Sequence, residues 1–169
     1  LTQALPRVER SERRGRLAVL HAGGPAPGMN TAVRAAVRLG LDRGHSMVAI
    51  QNGFDGLMNA HSKENILDFE WDSVSGWGGA EGANLGTSRR IPNDHELTLI
   101  AQALETNNIN GLMIIGGWAG YAAAHKIYTN RNSYAAFNIP MVCLPASINN
   151  DLPGTELSIG ADTALNSIV

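Results

Sequence analysis

With 169 residues, 44% hydrophobic content and 17% charged residues, the chain has material for one domain with a real core and lacks the composition of a disordered segment. A formal net charge of -2 gives no electrostatic footprint for nucleic acid, and no apolar run approaches the roughly 18 residues of a membrane span, so neither partner is expected. The single cysteine, Cys143, excludes an internal disulfide, and its apolar, strand-like surroundings predict a buried, inert thiol in a reducing cytoplasm.

Residues 1–15, LTQALPRVERSERRG, carry four arginines, two glutamates and a proline with little apolar periodicity, which predicts a solvated linker. No signal-peptide pattern opens the chain, the first residue is not Met, and residue 169 falls inside a helical pattern, so the chain reads as a segment of a longer polypeptide. Residues 16–21 hold the run Leu17, Ala18, Val19, Leu20, predicting a strand buried on both faces of a parallel sheet. The turn HAGGPAPGMN follows at residues 21–30. Its small residues let backbone approach a ligand closely, and the helix beyond it directs unpaired N–H groups and a positive dipole end at whatever sits there. The spacing matches neither the dinucleotide fingerprint nor the Walker A loop, so the turn is either an anion site or a tight strand-to-helix turn without a ligand.

A helix over residues 29–43 places Met29, Val33, Ala36, Val37 and Gly40 on one face. Arg34 and Arg38 stand four apart on another, either as a solvated basic face or as the seat of a phosphate, an effector or an acidic interface that offsets their repulsion. Residues 47–50 read as a second strand, 52–57 as a loop, and 66–69 as strand-like. Trp71 and Trp77 read as core or subunit contact in preference to a stacking platform. The stretch 78–90, GGAEGANLGTSRR, reads as the most flexible of the chain. Glycines, hydroxyls and two arginines suit a loop that closes over phosphate oxygens, with an exposed turn as the alternative.

A helix runs from about residue 97 to 106, with His95 exposed and inert in its first turn. Residues 109–115, INGLMII, form a strand that GGWAGY at 116–121 turns into an alanine-rich helix, a second junction of strand, Gly-Gly and helix. A further strand at 139–145 ends in a polar loop at 146–156, and a helical run starts near residue 160. The fold class is α/β, a three-layer αβα arrangement with a largely parallel sheet. In such sheets ligands bind outside the carboxyl ends of strands, so the three loops at those ends should converge on one site.

These motifs, in this order, resemble the phosphofructokinase family over about residues 17–169. GGPAPGMN, with Gly23 and Gly24, is similar to its nucleotide loop; LGTSRR, with Arg89, to its phosphate-binding arginine segment; and IIGGWAGY, with Gly116 and Gly117, to its metal and nucleotide turn. LPASINNDLPGTELSIGADTALN resembles its sugar-phosphate and catalytic loop. Two positions depart from the catalytic form. Trp118 stands where the metal-site aspartate would follow Gly-Gly, and Asn149 stands at the general-base aspartate, although Asp151 keeps a carboxylate. Phosphoryl transfer rests on positioning, Mg²⁺ neutralisation and a carboxylate that accepts the attacking hydroxyl's proton. An indole and a carboxamide supply neither.

The pattern is closer to the C-terminal half of tandem, eukaryotic-type phosphofructokinases, in which a duplicated catalytic unit has become a regulatory one. That resemblance implies a Rossmann-like unit whose first portion is 16–169, with no catalytic residue and no metal ligand. It implies that Arg89 and Ser147, Ile148, Asn149, Asn150 and Asp151 hold a sugar bisphosphate such as fructose 2,6-bisphosphate. The parent would use ATP and Mg²⁺ to phosphorylate fructose 6-phosphate in glycolysis as a cytoplasmic homotetramer. Its catalytic half would lie in the same chain, with no cofactor bound by this segment. An active kinase half using Asp151, and a half that only builds the tetramer, are the alternatives.

Overall fold

The computed structural model describes residues 14–62 and 64–169, so the expected linker at 1–15 falls almost wholly outside the described residues. Strands β1 (Arg16–Ala22), β2 (Ser46–Ile50), β3 (Ile66–Phe69), β4 (Gly111–Gly116) and β5 (Met141–Pro145) form one sheet in the order β3-β2-β1-β4-β5. All neighbours run parallel except β3, which lies antiparallel to β2.

Side chains alternate across a strand, so the apolar runs feed two cores. Ala18, Leu20, Val48, Ile50, Leu112 and Ile114 face one of them. There they meet Phe54 and Leu57 of α2 (Gly53–Met58), Leu97, Ile100 and Leu104 of α3 (Glu96–Thr106), and Ala123 and Ile127 of α4 (Trp118–Thr129). Val19, Met47, Ala49 and Ile115 face the other, against Met29, Val33 and Val37 of α1 (Met29–Asp42). Helices on both faces of the sheet make the expected three layers. Each buried Leu, Ile, Val or Phe contributes roughly 1.5–3 kcal/mol, so burial and not helix propensity fixes the arrangement. The last helix is α5 (Ala161–Ile168).

Two readings need correction, and a third, that of the tryptophans, holds for one of the pair. Residues 52–57 are not a loop: α2 forms there because Phe54, Leu57 and Met58 bury against the first core, which outweighs the poor helix propensity of Gly53 and Gly56. Trp77 is a core contact, edge-on to Phe69 with centroids 5.9 Å apart, but Trp71 is exposed and carries the Arg38 guanidinium 4.8 Å above its ring. Cys143 is half-buried on β5, where desolvation pushes its thiol above the usual range. Among the described residues no helix is long and apolar enough to cross a membrane.

Candidate functional site

The strand register brings Ala22 beside Gly116 and Gly116 beside Pro145, so the loops after β1, β4 and β5 leave the sheet from one edge. From β1 the chain passes to β2 on one side, and from β4 to β5 on the other, and this divergence leaves a crevice between the two strands. A cleft of about 340 Å³ opens there. Gly116 is not part of its lining but makes the edge possible: a Cβ at that position would lie 1.7 Å from the Ala22 carbonyl oxygen.

The loops do converge as the sequence predicts. Gly23, Gly24, Gly117, Trp118 and Arg89 all line the cleft, together with Ser147, Ile148, Asn149 and Asp151. Asn150 does not: its φ of 51° turns the side chain back into its own loop, where Oδ1 accepts from the Ser158 N–H at 2.8 Å and Nδ2 donates to Glu156 O at 3.1 Å. Arg34 and Arg38 also lie elsewhere. Arg38 stacks on Trp71 and reaches the Ser75 hydroxyl, and the Arg34 stem packs beside Gly78. Both thus clamp the segment after β3 and leave the cleft to Arg89.

The glycine amides are less available than the turn suggested. Gly23 N–H donates to Ser88 O at 2.8 Å, and Gly117 N–H to Ala22 O at 3.2 Å. The helix start that borders the cleft is that of α4, through Trp118 and Ala119, and not that of α1. Gly120 N–H in the first turn of α4 donates to Gly117 O at 3.0 Å, so the Trp118 and Ala119 amides, which have no acceptor in their own helix, are the ones that can receive an anion. Arg89 lies against Gly24, close enough that a Cβ there would sit 3.0 Å from its Nη2, and among the described residues it makes no ion pair.

The stretch 78–90, read as the most flexible, is strapped to the sheet edge. Buried Asn30 donates from Nδ2 to Ala80 O and Glu81 O at 3.1 and 3.0 Å and accepts the Asn84 N–H at 2.8 Å. Thr87 Oγ1 donates to Gly23 O at 2.8 Å. Ser88 Oγ donates to Asp55, which also pairs with Arg90 at 3.5 Å, and Arg90 forms a second ion pair with Glu96 at the start of α3. The Asn93 N–H, followed by the Arg90 guanidinium, holds the Glu96 carboxyl below the usual carboxylate range. Arg90 is therefore the anchor and Arg89 the free donor, a division that two adjacent arginines do not reveal in sequence. Asn30 and Asp55 carried no signal as isolated letters.

Beneath the first loop lies His21, fully buried on β1. Neither ring nitrogen has a hydrogen-bond partner among the described residues. Desolvation pulls its pKa from 6.5 down to about 4; the Met29 and Gly86 backbone groups oppose this without reaching hydrogen-bond geometry. The imidazole is neutral at physiological pH.

A magnesium ion takes oxygen ligands, commonly one or two carboxylates beside substrate phosphates, and this donor set is poor in carboxylates. Trp118 offers no oxygen, Asp151 is the only carboxylate among the described lining residues, and among the described residues no cluster of three His, Cys, Asp or Glu side chains forms. What the cleft presents is one guanidinium, helix-start amides, hydroxyl and amide side chains, the Asp151 carboxylate and an apolar rim.

Residues 16–169 match the family model described as Phosphofructokinase. The chain is 47% identical over 152 residues to the platelet-type ATP-dependent 6-phosphofructokinase of Rattus norvegicus, covering 90% of this chain and 19% of that protein. It is 41% identical over 158 residues to the beta subunit of the Candida albicans ATP-dependent 6-phosphofructokinase, covering 94% of this chain and 16% of that protein. The crystal structure of Pichia pastoris phosphofructokinase in the T-state superposes with a TM-score of 0.86 at 39% identity, over 92% of this chain and 17% of that one. The chain thus spans less than a fifth of the length of these relatives. Matched over almost its whole described length and sharing their sheet, it belongs to the phosphofructokinase family.

Proposed function

We propose that the chain is part of an ATP-dependent 6-phosphofructokinase, which transfers a phosphoryl group from MgATP to fructose 6-phosphate in glycolysis, and that this unit is a non-catalytic, allosteric one. Its ligand is a sugar bisphosphate of the fructose 2,6-bisphosphate kind. The observation that carries this is the makeup of one cleft: Arg89, free of ion pairs among the described residues, borders the same space as Trp118 and Asn149, where transfer chemistry would want carboxylates. A phosphate can be gripped there by a planar guanidinium, while a metal is not. The parent enzyme's MgATP would then be held by a catalytic half elsewhere in a cytoplasmic homotetramer.

Asp151 supports a second reading, an active kinase half, because its carboxylate lines the same cleft and a base there could face a sugar hydroxyl. The test is an activation curve with fructose 2,6-bisphosphate for the full-length protein, wild type and Arg89→Ala. A charge-assisted contact contributes about 1.5–3 kcal/mol, so the midpoint moves about 10- to 150-fold while the maximal rate at saturating substrate holds. Superimposable curves remove Arg89 from the site; a collapsed maximal rate favours the kinase reading.

A further inference from the structure

Three of the large apolar side chains that remain exposed line this cleft: Trp118 at 54%, Ile148 at 54% and Ile91 at 49%. They come from three separate segments, the start of α4, the loop after β5 and the stretch before α3. What they share is a cleft into which Arg89, Ser147, Asn149 and Asp151 also open, and apolar surface collected beside convergent polar groups marks a contact for a ligand. A ligand made of phosphate alone gives an indole nothing to bind. A sugar ring does, because its C–H bonds carry partial positive charge and meet the negative face of the indole. At about 340 Å³ the cleft has the size of a small-molecule pocket.

Resting on the sugar-bisphosphate reading above, we infer that Trp118 is the specificity residue of the site: its indole face receives the C–H face of the sugar ring whose phosphate Arg89 grips, with Ile148 and Ile91 closing the edge. The residue at the metal-aspartate position is then a ligand contact in its own right. It also explains why the indole leaves the cleft open instead of filling it. Loss of the ring face removes apolar contact and spares the phosphate grip, so the effect must depend on whether the ligand contains a sugar.

The experiment measures binding of fructose 2,6-bisphosphate, inorganic pyrophosphate and adenosine monophosphate to the full-length protein by calorimetry, for wild type, Trp118→Ala, Trp118→Phe and Arg89→Ala. Trp118→Ala weakens the sugar bisphosphate roughly 5- to 15-fold, from the area one ring face covers, and leaves pyrophosphate within about twofold. Trp118→Phe keeps most of the affinity, and Arg89→Ala weakens both ligands. A blue shift of tryptophan emission on adding the sugar bisphosphate that is present in wild type and lost in Trp118→Phe assigns the contact to Trp118; within this chain Trp71 and Trp77 lie outside the cleft. If wild type binds and Arg89→Ala weakens binding but Trp118→Ala does not, this inference falls and the bisphosphate reading stands. If only adenosine monophosphate depends on Trp118, the indole receives a nucleoside and the fructose-ring assignment is overturned. Absence of fructose 2,6-bisphosphate binding by wild type overturns the reading beneath it.

Discussion

Replacing His21 by leucine should change how the stability of this fold depends on pH. In the unfolded chain the imidazole titrates near its ordinary 6.5, whereas burial holds it near 4 in the folded one. Between those values the unfolded chain binds a proton that the folded chain refuses, so stability falls as pH falls through that window and is untouched above about pH 7. Linkage puts the loss at about 2 kcal/mol near pH 5, approaching about 3 kcal/mol below pH 4. The leucine variant has no such slope, and it also removes two buried nitrogens that lack partners among the described residues. An orphaned buried polar group costs about 1–3 kcal/mol, so the variant should be at least as stable as wild type at neutral pH. The assay is urea unfolding followed by circular dichroism, for both proteins, from about pH 7.5 to about pH 5. The difference between them cancels the other titrating groups. Parallel pH dependence in wild type and His21→Leu would refute the argument that this imidazole is held neutral by burial.

Two further outcomes follow from the strap. Asp55→Asn weakens the anchor that Ser88 and Arg90 share; the pair is partly exposed, so the melting shift should correspond to only about 0.5–1 kcal/mol, yet fructose 2,6-bisphosphate affinity should drop several-fold because Arg89 loses its placement. Unchanged affinity in a titration would show that Asp55 serves the fold alone. Gly24→Ala puts a methyl 3.0 Å from Arg89 Nη2, so the guanidinium must shift; calorimetry should show weaker binding of both pyrophosphate and the sugar bisphosphate, with thermal stability nearly preserved, and tighter or equal binding would contradict the placement.

The chain's pattern was enough to determine the strands and most of the helices, since apolar runs such as Leu17–Leu20 and Ile114–Ile115 and the amphipathic face of Met29, Val33 and Val37 are local signals that burial then enforces. It also determined that loops after three strands would share a site, because parallel sheets leave all their carboxyl ends on one edge. Only the tertiary structure decided what those loops do. The helix α2 forms because distant core residues cover Phe54 and Leu57, a cause that no local window contains. Arg89 and Arg90 are neighbours of the same type, and their roles separate only because Asp55 and Glu96 arrive from two other elements to bind one of them. Asn150 leaves the cleft and Asn149 stays in it for a similar reason: a left-handed φ and a buried Ser158 turn one amide inward. Gly23, legible as a phosphate-loop glycine, gives its N–H to Ser88 instead, because the loop holding that carbonyl is tied down by Asn30, 54 positions from Asn84 in sequence and 2.8 Å from it in space.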